Sequence, residues 1–542
     1  MKLNNIIAIL LLSITQILAQ DIGTTEVKVV EGFNPSIPEA SRLNDNAVFA
    51  DTIKKDRTQS FEIKDVDLQS GYATKPLKAA KVKDDKIPEL YATKLGLGFG
   101  NAWITKATVV HNSKRSKTLS YSVIANHFAN SFSPNGFESK NSKNSLHLYG
   151  KKISSKYILN ANLEYDRITS LYWSENSSLI PEENYRNRFA YTKISVSALS
   201  KETDENKIKH HTTFFVSDFN EFSENQIHLG TELEKTINDL PFAMEIELND
   251  YLNYNGEDKT FESSDVKSLH FLPKTSFEKF GFDFEVGLEL DYEIESNANE
   301  FEISPQIKAC KELVKDVLLV YGGLRHADQR HTLKSLSDVN PYIHSYGTNQ
   351  SILVGQALSQ DLEKTDTDEM YVGIRNFLGK DEVFGGSFGY SEVNNFAHFV
   401  RENNGNYNRF RVVYLESVRQ LHANANYERK LNSIISVNVA ADYYNWDKEV
   451  YHKPNFTASL SAPVNLREKI KAVPIVSYMG VREVLGAELP AQLHANLGVY
   501  YSYSKQLSGY LQFNNITNSK QDLWEGYQEV GFNAVFGLNY SF

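Results

Sequence analysis

The stretch FDFEVGLELDYEIE, Phe282 to Glu295, decides the architecture. Phe282, Phe284, Val286, Leu288, Leu290, Tyr292 and Ile294 alternate with Asp283, Glu285, Gly287, Glu289, Asp291, Glu293 and Glu295. Successive side chains of an extended chain point to opposite faces, so one face is apolar and the other almost wholly carboxylate. Globular strands are typically about 5–6 residues long. This one is longer, and exceeds the roughly 9–11 tilted residues that cross a bilayer. Unpaired carboxylates are costly to bury. The apolar face therefore predicts lipid, and the acidic face predicts water or counter-charge. A membrane wall around a water-filled lumen supplies both.

The same period of two recurs along the chain. Phe532, Ala534, Phe536, Leu538, Tyr540 and Phe542 alternate with Gly531, Asn533, Val535, Gly537, Asn539 and Ser541. Similar runs occupy 492–503, 435–444 and 159–166. Turn residues such as Asn404-Gly405 and Gly379-Lys380-Asp381 separate them. In lipid every backbone donor and acceptor needs a partner, which strands achieve only in a sheet without an edge. The fold class predicted is all-β: a transmembrane antiparallel β-barrel of about 22 strands, within a range of about 18–26. Propeller-type repeats of about 40–50 residues are not seen.

The composition fits. Mean hydropathy is −0.42, yet a barrel strand shows lipid only every second side chain. Aromatic residues make up 12% of the 542 residues. Tyr443, Tyr444 and Trp446, and Tyr500, Tyr501 and Tyr503, are expected in interfacial girdles. A net charge of −11 argues against a nucleic-acid surface. Cys310 is the sole cysteine, so no internal disulfide or multi-cysteine metal site can form.

The N-terminus reads as an export signal. Lys2 precedes an apolar run from Ile6 to Leu18, followed by Ala19. Residues 1–19 are expected to be a signal peptide for the Sec pathway, with the mature chain bound for the outer membrane. Residues 20–90, rich in Lys and Asp and carrying Pro35, Pro38, Pro76 and Pro88, read as a short periplasmic or lumenal extension. Residues 91–542 form the barrel. The polar connections 128–142, 168–184 and about 327–366 are expected to be extracellular loops.

A family resemblance follows from particular stretches. GYLQFNNITNSKQDLWEGYQEVGFNAVFGLNYSF, Gly509 to Phe542, resembles the last two strands of TonB-dependent receptors, the match carried by Asn514, Asn515, Asn518, Trp524, Gly526, Tyr527, Gly531 and Phe542. VKVVEGFNPSIPEASRL at 27–43, LGLGFGN at 95–101 and VNPYI at 339–343 resemble a plugless branch of such barrels from Bacteroidota. The resemblance implies about 22 strands, in agreement with the strand pattern. Those receptors carry a folded plug inside the barrel. Here only about 70 residues precede the first strand, short for a separate core and without a plug-like sequence. A full plug is therefore not expected, and uptake driven by a moving plug is not implied.

The run HADQRH, His326 to His331, reads as a polar loop rather than a metal site. His210 and His211 point to opposite faces of a strand. No nucleophile motif stands in a strand–turn–helix context. No catalytic, cofactor or metal residue is assigned, and an enzyme is not expected. The acidic faces are the clearest functional feature: Glu232 and Glu234, Glu245 and Glu247, and Asp283, Glu285, Glu289, Asp291 and Glu293 are predicted to line the lumen. There they would favour cations or pair with basic residues such as Arg186, Arg188, Arg409 and Arg411. Two functions are compatible. One is a receptor-like barrel that passes or binds a polar solute. The other is a plugless barrel serving as a structural or assembly subunit of a larger outer-membrane complex. Expected partners are outer-membrane lipid and lipopolysaccharide, and periplasmic or outer-membrane proteins through residues 20–90, with no nucleic acid.

Overall fold

A computed structural model describes residues 90–542, apart from 135–136, 173–185, 203, 205–206, 220–223, 254–264, 296–298, 344–361 and 404–407. The signal and extension predicted for residues 1–89 lie outside the described residues.

The wall is one antiparallel sheet that closes on itself. Its 23 segments make 22 strands, because Phe456–Ser461 and Val464–Leu466 are two pieces of one strand, both paired with Ile470–Met479. Ala462-Pro463 interrupts it, and proline has no N–H to give a ladder. Strand lengths reach 16 residues, in Asn299–Val314 and Lys364–Gly379. Closure joins the first wall strand, Thr93–Gly100, to the last, Asn533–Ser541. Thr93 N–H donates to Phe542 O at 2.9 Å and Phe542 N–H to Thr93 O at 2.8 Å. Two glycines face each other in this joint, Gly98 and Gly537. A Cβ on Gly537 would lie 2.1 Å from the ring of Tyr510, and one on Gly98 2.3 Å from its hydroxyl. The tyrosine ring thus lies flat across both, which no larger residue would allow.

The apolar face is on the outside. Leu97, Phe99, Phe301, Ile303, Val372, Phe388 and Phe536 are all exposed. A closed sheet wrapped in apolar side chains requires lipid. Connections at one end are tight. Asn238 and Asp239 join two strands with φ of 51° and 65°, as do Phe280 and Gly281 with 57° and 70°. Paired left-handed residues match the twist of a two-residue hairpin. The other end carries every long connection, including a helix, Leu333–Val339, and three hairpins: Phe396–Leu415, Arg482–Leu489 and Asp522–Gln528.

Several sequence expectations need correction. The wall strands run further than predicted, so the loops shrink. Leu119–Phe132 and Ser139–Ile153 absorb most of 128–142, and Leu318–Arg330 and Lys364–Gly379 take both ends of 327–366. HADQRH is accordingly strand as far as Arg330, not loop. Asn404-Gly405 lies outside the described residues, and its hairpin is not part of the wall. Tyr443, Tyr501 and Tyr503 do face outward. Tyr444 and Trp446 face inward, Tyr444 stacked on His422 with ring centroids 4.3 Å apart. Tyr500 also turns inward, where its hydroxyl accepts from Gln512 Nε2 at 3.1 Å. The period of two that defines the wall sends neighbouring aromatics to opposite sides.

Candidate functional site

Four consecutive wall strands carry the acidic residues singled out from sequence: Glu224–Ile237, Leu240–Asn253, Val266–Lys279 and Phe282–Ile294. Glu232 sits directly opposite Glu245, and His270 stands between Glu247 and Asp291. The row therefore forms one contiguous sector on the face opposite the apolar one. Among the described residues it meets several counter-charges. Lys274 pairs with Glu245. His270 Nδ1 lies 2.7 Å from Asp291 and 3.5 Å from Glu289, and Arg330 Nη1 lies 2.5 Å from Glu293. Lys209 and Lys308 occupy the register positions opposite Glu234 and Glu285, and Cys310 that opposite Asp283. Neighbouring like charges such as Glu232 and Glu245 make the sector attractive to cations.

Beside this sector the wall parts. The ladder between Asn299–Val314 and Leu318–Arg330 runs from Val314–Leu318 to Ile307–Leu324 and stops there. Beyond it, residues 299–306 stay paired to Phe282–Ile294, while residues 325–330 stay paired to Lys364–Gly379. Side chains record the direction of the parting. Leu324 and Met370 are exposed on the outer face. His326, Asp328, Arg330, Lys364, Asp366 and Asp368 continue that face by alternation. Yet Arg330 meets Glu293, and Lys364 meets Glu302 at 3.3 Å, both on the inner face of the neighbouring strands. The upper part of the second sheet has thus passed inside the first. The join is polar: Gln306 Nε2 donates to His326 O at 3.4 Å, and Lys364 Nζ lies 2.9 Å from Asp328 and 3.1 Å from Asp366.

Over the long-loop end lies an apolar core. Phe189 and Phe219, on two wall strands, pack with Leu333 and Leu336 of the helix, with Ile343, with Phe399, Phe410 and Val412 of one hairpin, and with Tyr527 of another. Tyr342 stacks on Tyr527 at 3.6 Å between centroids, and Phe410 meets Trp524 at 5.5 Å and His452 at 5.3 Å. Polar anchors tie the loops together. Tyr172 donates to Ile343 O at 2.7 Å, Asn187 to Pro341 O at 2.8 Å, and Arg482 Nη2 to Asp522 O at 2.7 Å. Arg401 pairs with Glu525 at 2.9 Å, and Tyr527 donates to Asn408 O. Contributions come from around the circumference, so these loops form a cap across the mouth.

Buried bases sit in this cap. Burial pushes His331 down to about 3, with Lys453 and Arg330 adding to the effect. His398 is pushed down to about 4 by burial and then Lys453. His452 falls to about 3 through burial, with Arg482, His398 and Arg401 adding. Burial alone lowers Lys453 to about 8. His331 bonds Thr365 Oγ1 at 2.7 Å and so turns away from His326, separating the two histidines of HADQRH. Sequence periodicity misses the cap because it has none. The signal lay elsewhere: Tyr342 and Ile343 belong to VNPYI, and Trp524 and Tyr527 to the C-terminal motif, and the two stretches meet in space.

No protein-family model matches the chain, and no curated protein matches it by sequence. Solved structures do match in fold. The FrpB iron transporter of Neisseria meningitidis is 8% identical, with 84% of this chain and 82% of that one covered and a TM-score of 0.64. The ferric enterobactin receptor PfeA of Pseudomonas aeruginosa is 12% identical over 83% and 80%, with a TM-score of 0.60. The ferric-catecholate import receptor Fiu of E. coli K12 is 10% identical over 84% and 82%, with a TM-score of 0.59. The chain thus shares its barrel fold with these solved structures.

Proposed function

We propose that this chain is an outer-membrane barrel that binds or passes a polar, cation-bearing solute beneath a gated mouth. Residues 1–19 direct export through the Sec pathway, residues 20–90 form a periplasmic or lumenal extension, and residues 91–542 insert among outer-membrane lipid and lipopolysaccharide. The carrying observation is the contiguous acidic sector of Glu232, Glu234, Glu245, Glu247, Asp283, Glu285, Glu289, Asp291 and Glu293, only partly neutralised by Lys274, His270 and Arg330. Such a sector concentrates cations and excludes anions. The barrel in a planar bilayer is expected to conduct with cation preference. Replacing Glu285 and Glu289 together by Gln should lower that preference severalfold, and an unchanged ratio would remove the reading.

The cap favours a second reading, a structural or assembly subunit of a larger outer-membrane complex. Long-end connections packed into an apolar core suit a scaffold as well as a gate. Gentle extraction from native membranes separates the two. Fixed stoichiometric partners that are lost on deleting residues 20–90 would mark the scaffold; a lone barrel would mark the transporter.

A further inference from the structure

We propose that Asp291, His326 and Asp328 form a binding site for a divalent transition-metal ion of the Zn²⁺ or Mn²⁺ class, which fastens the inward-passing sheet to the wall. The three residues come from two strands that no backbone ladder joins, Phe282–Ile294 and Leu318–Arg330. Their ligand atoms all lie within 4.8 Å of one another. His326 Nε2 and Asp328 Oδ1 are 2.8 Å apart.

The orientation of each side chain is the stronger point. His326 is almost wholly buried, and its Nδ1 lies 3.0 Å from Asp368 Oδ1. A carboxylate holding one ring nitrogen fixes the tautomer and leaves the other nitrogen's lone pair free, the arrangement found behind metal-bound histidines. Asp291 has its Oδ1 engaged by His270 at 2.7 Å, and Asp328 has its Oδ2 engaged by Lys364 at 2.9 Å. In each residue one atom is held from behind. The remaining three, Nε2 of His326, Oδ1 of Asp328 and Oδ2 of Asp291, are buried; Nε2 and Oδ1 meet as an ion pair at 2.8 Å, a contact an ion would bridge, and Oδ2 of Asp291 has no hydrogen-bond partner. Buried polar atoms are rarely left so. Three that converge on one point, one nitrogen and two carboxylate oxygens, are answered by a cation that takes both donor types at about 2.0–2.2 Å. Glu302 Oε1, 3.8 Å from Nε2, is placed to supply a fourth donor.

A nitrogen donor in the set selects against Ca²⁺ and Mg²⁺, which prefer oxygen alone. The ion would link wall and inner sheet at the level where their backbone ladder ends. This role is independent of solute passage, so it stands or falls apart from the conductance test on Glu285 and Glu289.

The experiment uses the full-length barrel refolded in detergent, stripped with chelator and titrated with Zn²⁺, Mn²⁺ and Ca²⁺ by calorimetry. Co²⁺ absorption serves as a spectroscopic reading of a nitrogen-containing set. The expected result is one Zn²⁺ or Mn²⁺ per chain, a Co²⁺ spectrum displaced by Zn²⁺, and no competition from Ca²⁺. H326Q and D291N should each weaken binding at least tenfold, and H331Q should not. Failure of the folded wild-type barrel to bind one ion would overturn the proposal whatever the variants do. Equal binding by H326Q, or equal competition by Ca²⁺, would overturn it too.

Discussion

The wall and the cap of this molecule are built on opposite rules. In the wall, Ile303, Phe301 and Val372 are exposed on one face, and carboxylates alternate with such residues on the other. In the cap, Phe396, Phe410, Ile343 and Tyr527 are enclosed, as in a water-soluble domain. One chain thus folds against two solvents, and each part hides from its own. Where lipid is the solvent, apolar side chains are the surface. Where water is the solvent, they are the core.

The contrast can be broken most sharply at Phe410, which has no exposed surface. Phe410→Ala should cost about 3–5 kcal/mol of cap stability. The cap should become open to proteolysis within 396–415 while the barrel remains inserted. Loss of the inserted barrel would show that the two parts are not separable. The mirror test is Ile303→Arg on the outer wall. An arginine facing lipid costs up to about 2–4 kcal/mol, so refolding into bilayers should fall and the urea midpoint should drop, with the same substitution neutral only if this face meets water.

Acid sharpens the comparison more gently. In the closed cap His331, His398 and His452 hold protons only near pH 3–4, whereas a histidine in water binds one near about 6.5. Between those limits the open state carries more protons, so stability of the closed cap is present above about pH 6.5 and is lost as the pH falls through the interval. Lys453, lowered to about 8, has the same sign but acts above pH 8, between its folded value and that of a lysine in water, and leaves this interval to the histidines. Cap proteolysis or channel opening should rise between pH 7.5 and pH 5, with the wall unmoved. His452→Gln should flatten that response. The smallest effect is Tyr527→Phe. It removes the hydroxyl that bonds Asn408 O but keeps the ring on Tyr342. About 1 kcal/mol should be lost, visible as slightly faster hydrogen exchange in the hairpin Phe396–Leu415.

The same opposition explains what could be read in advance. Alternation is a local property of an extended chain, so Phe282–Ile294 announces itself and repetition announces the barrel. The acidic residues read from sequence as a face in the same way. Their partners could not be read so: Lys274, His270 and Arg330 are fixed by register, which sequence spacing does not carry. Nor could the parting of the sheet after Leu324, because His326, Asp328 and Arg330 keep the alternation unbroken while their surroundings change from lipid to lumen. The cap gathers residues more than 150 positions apart, such as Asn187 and Pro341. Only the motifs VNPYI and WEGY, without period or charge pattern, marked those stretches, and they did so by resemblance rather than by strand pattern.

The pairing of Thr93–Gly100 with Asn533–Ser541 has a consequence for the birth of the molecule. The first wall strand to leave the ribosome must wait for the last before its outer edge is satisfied. Until then every growing intermediate carries two raw sheet edges, each ready to recruit a stranger's strand. The barrel can therefore be finished only where a final strand meets the first.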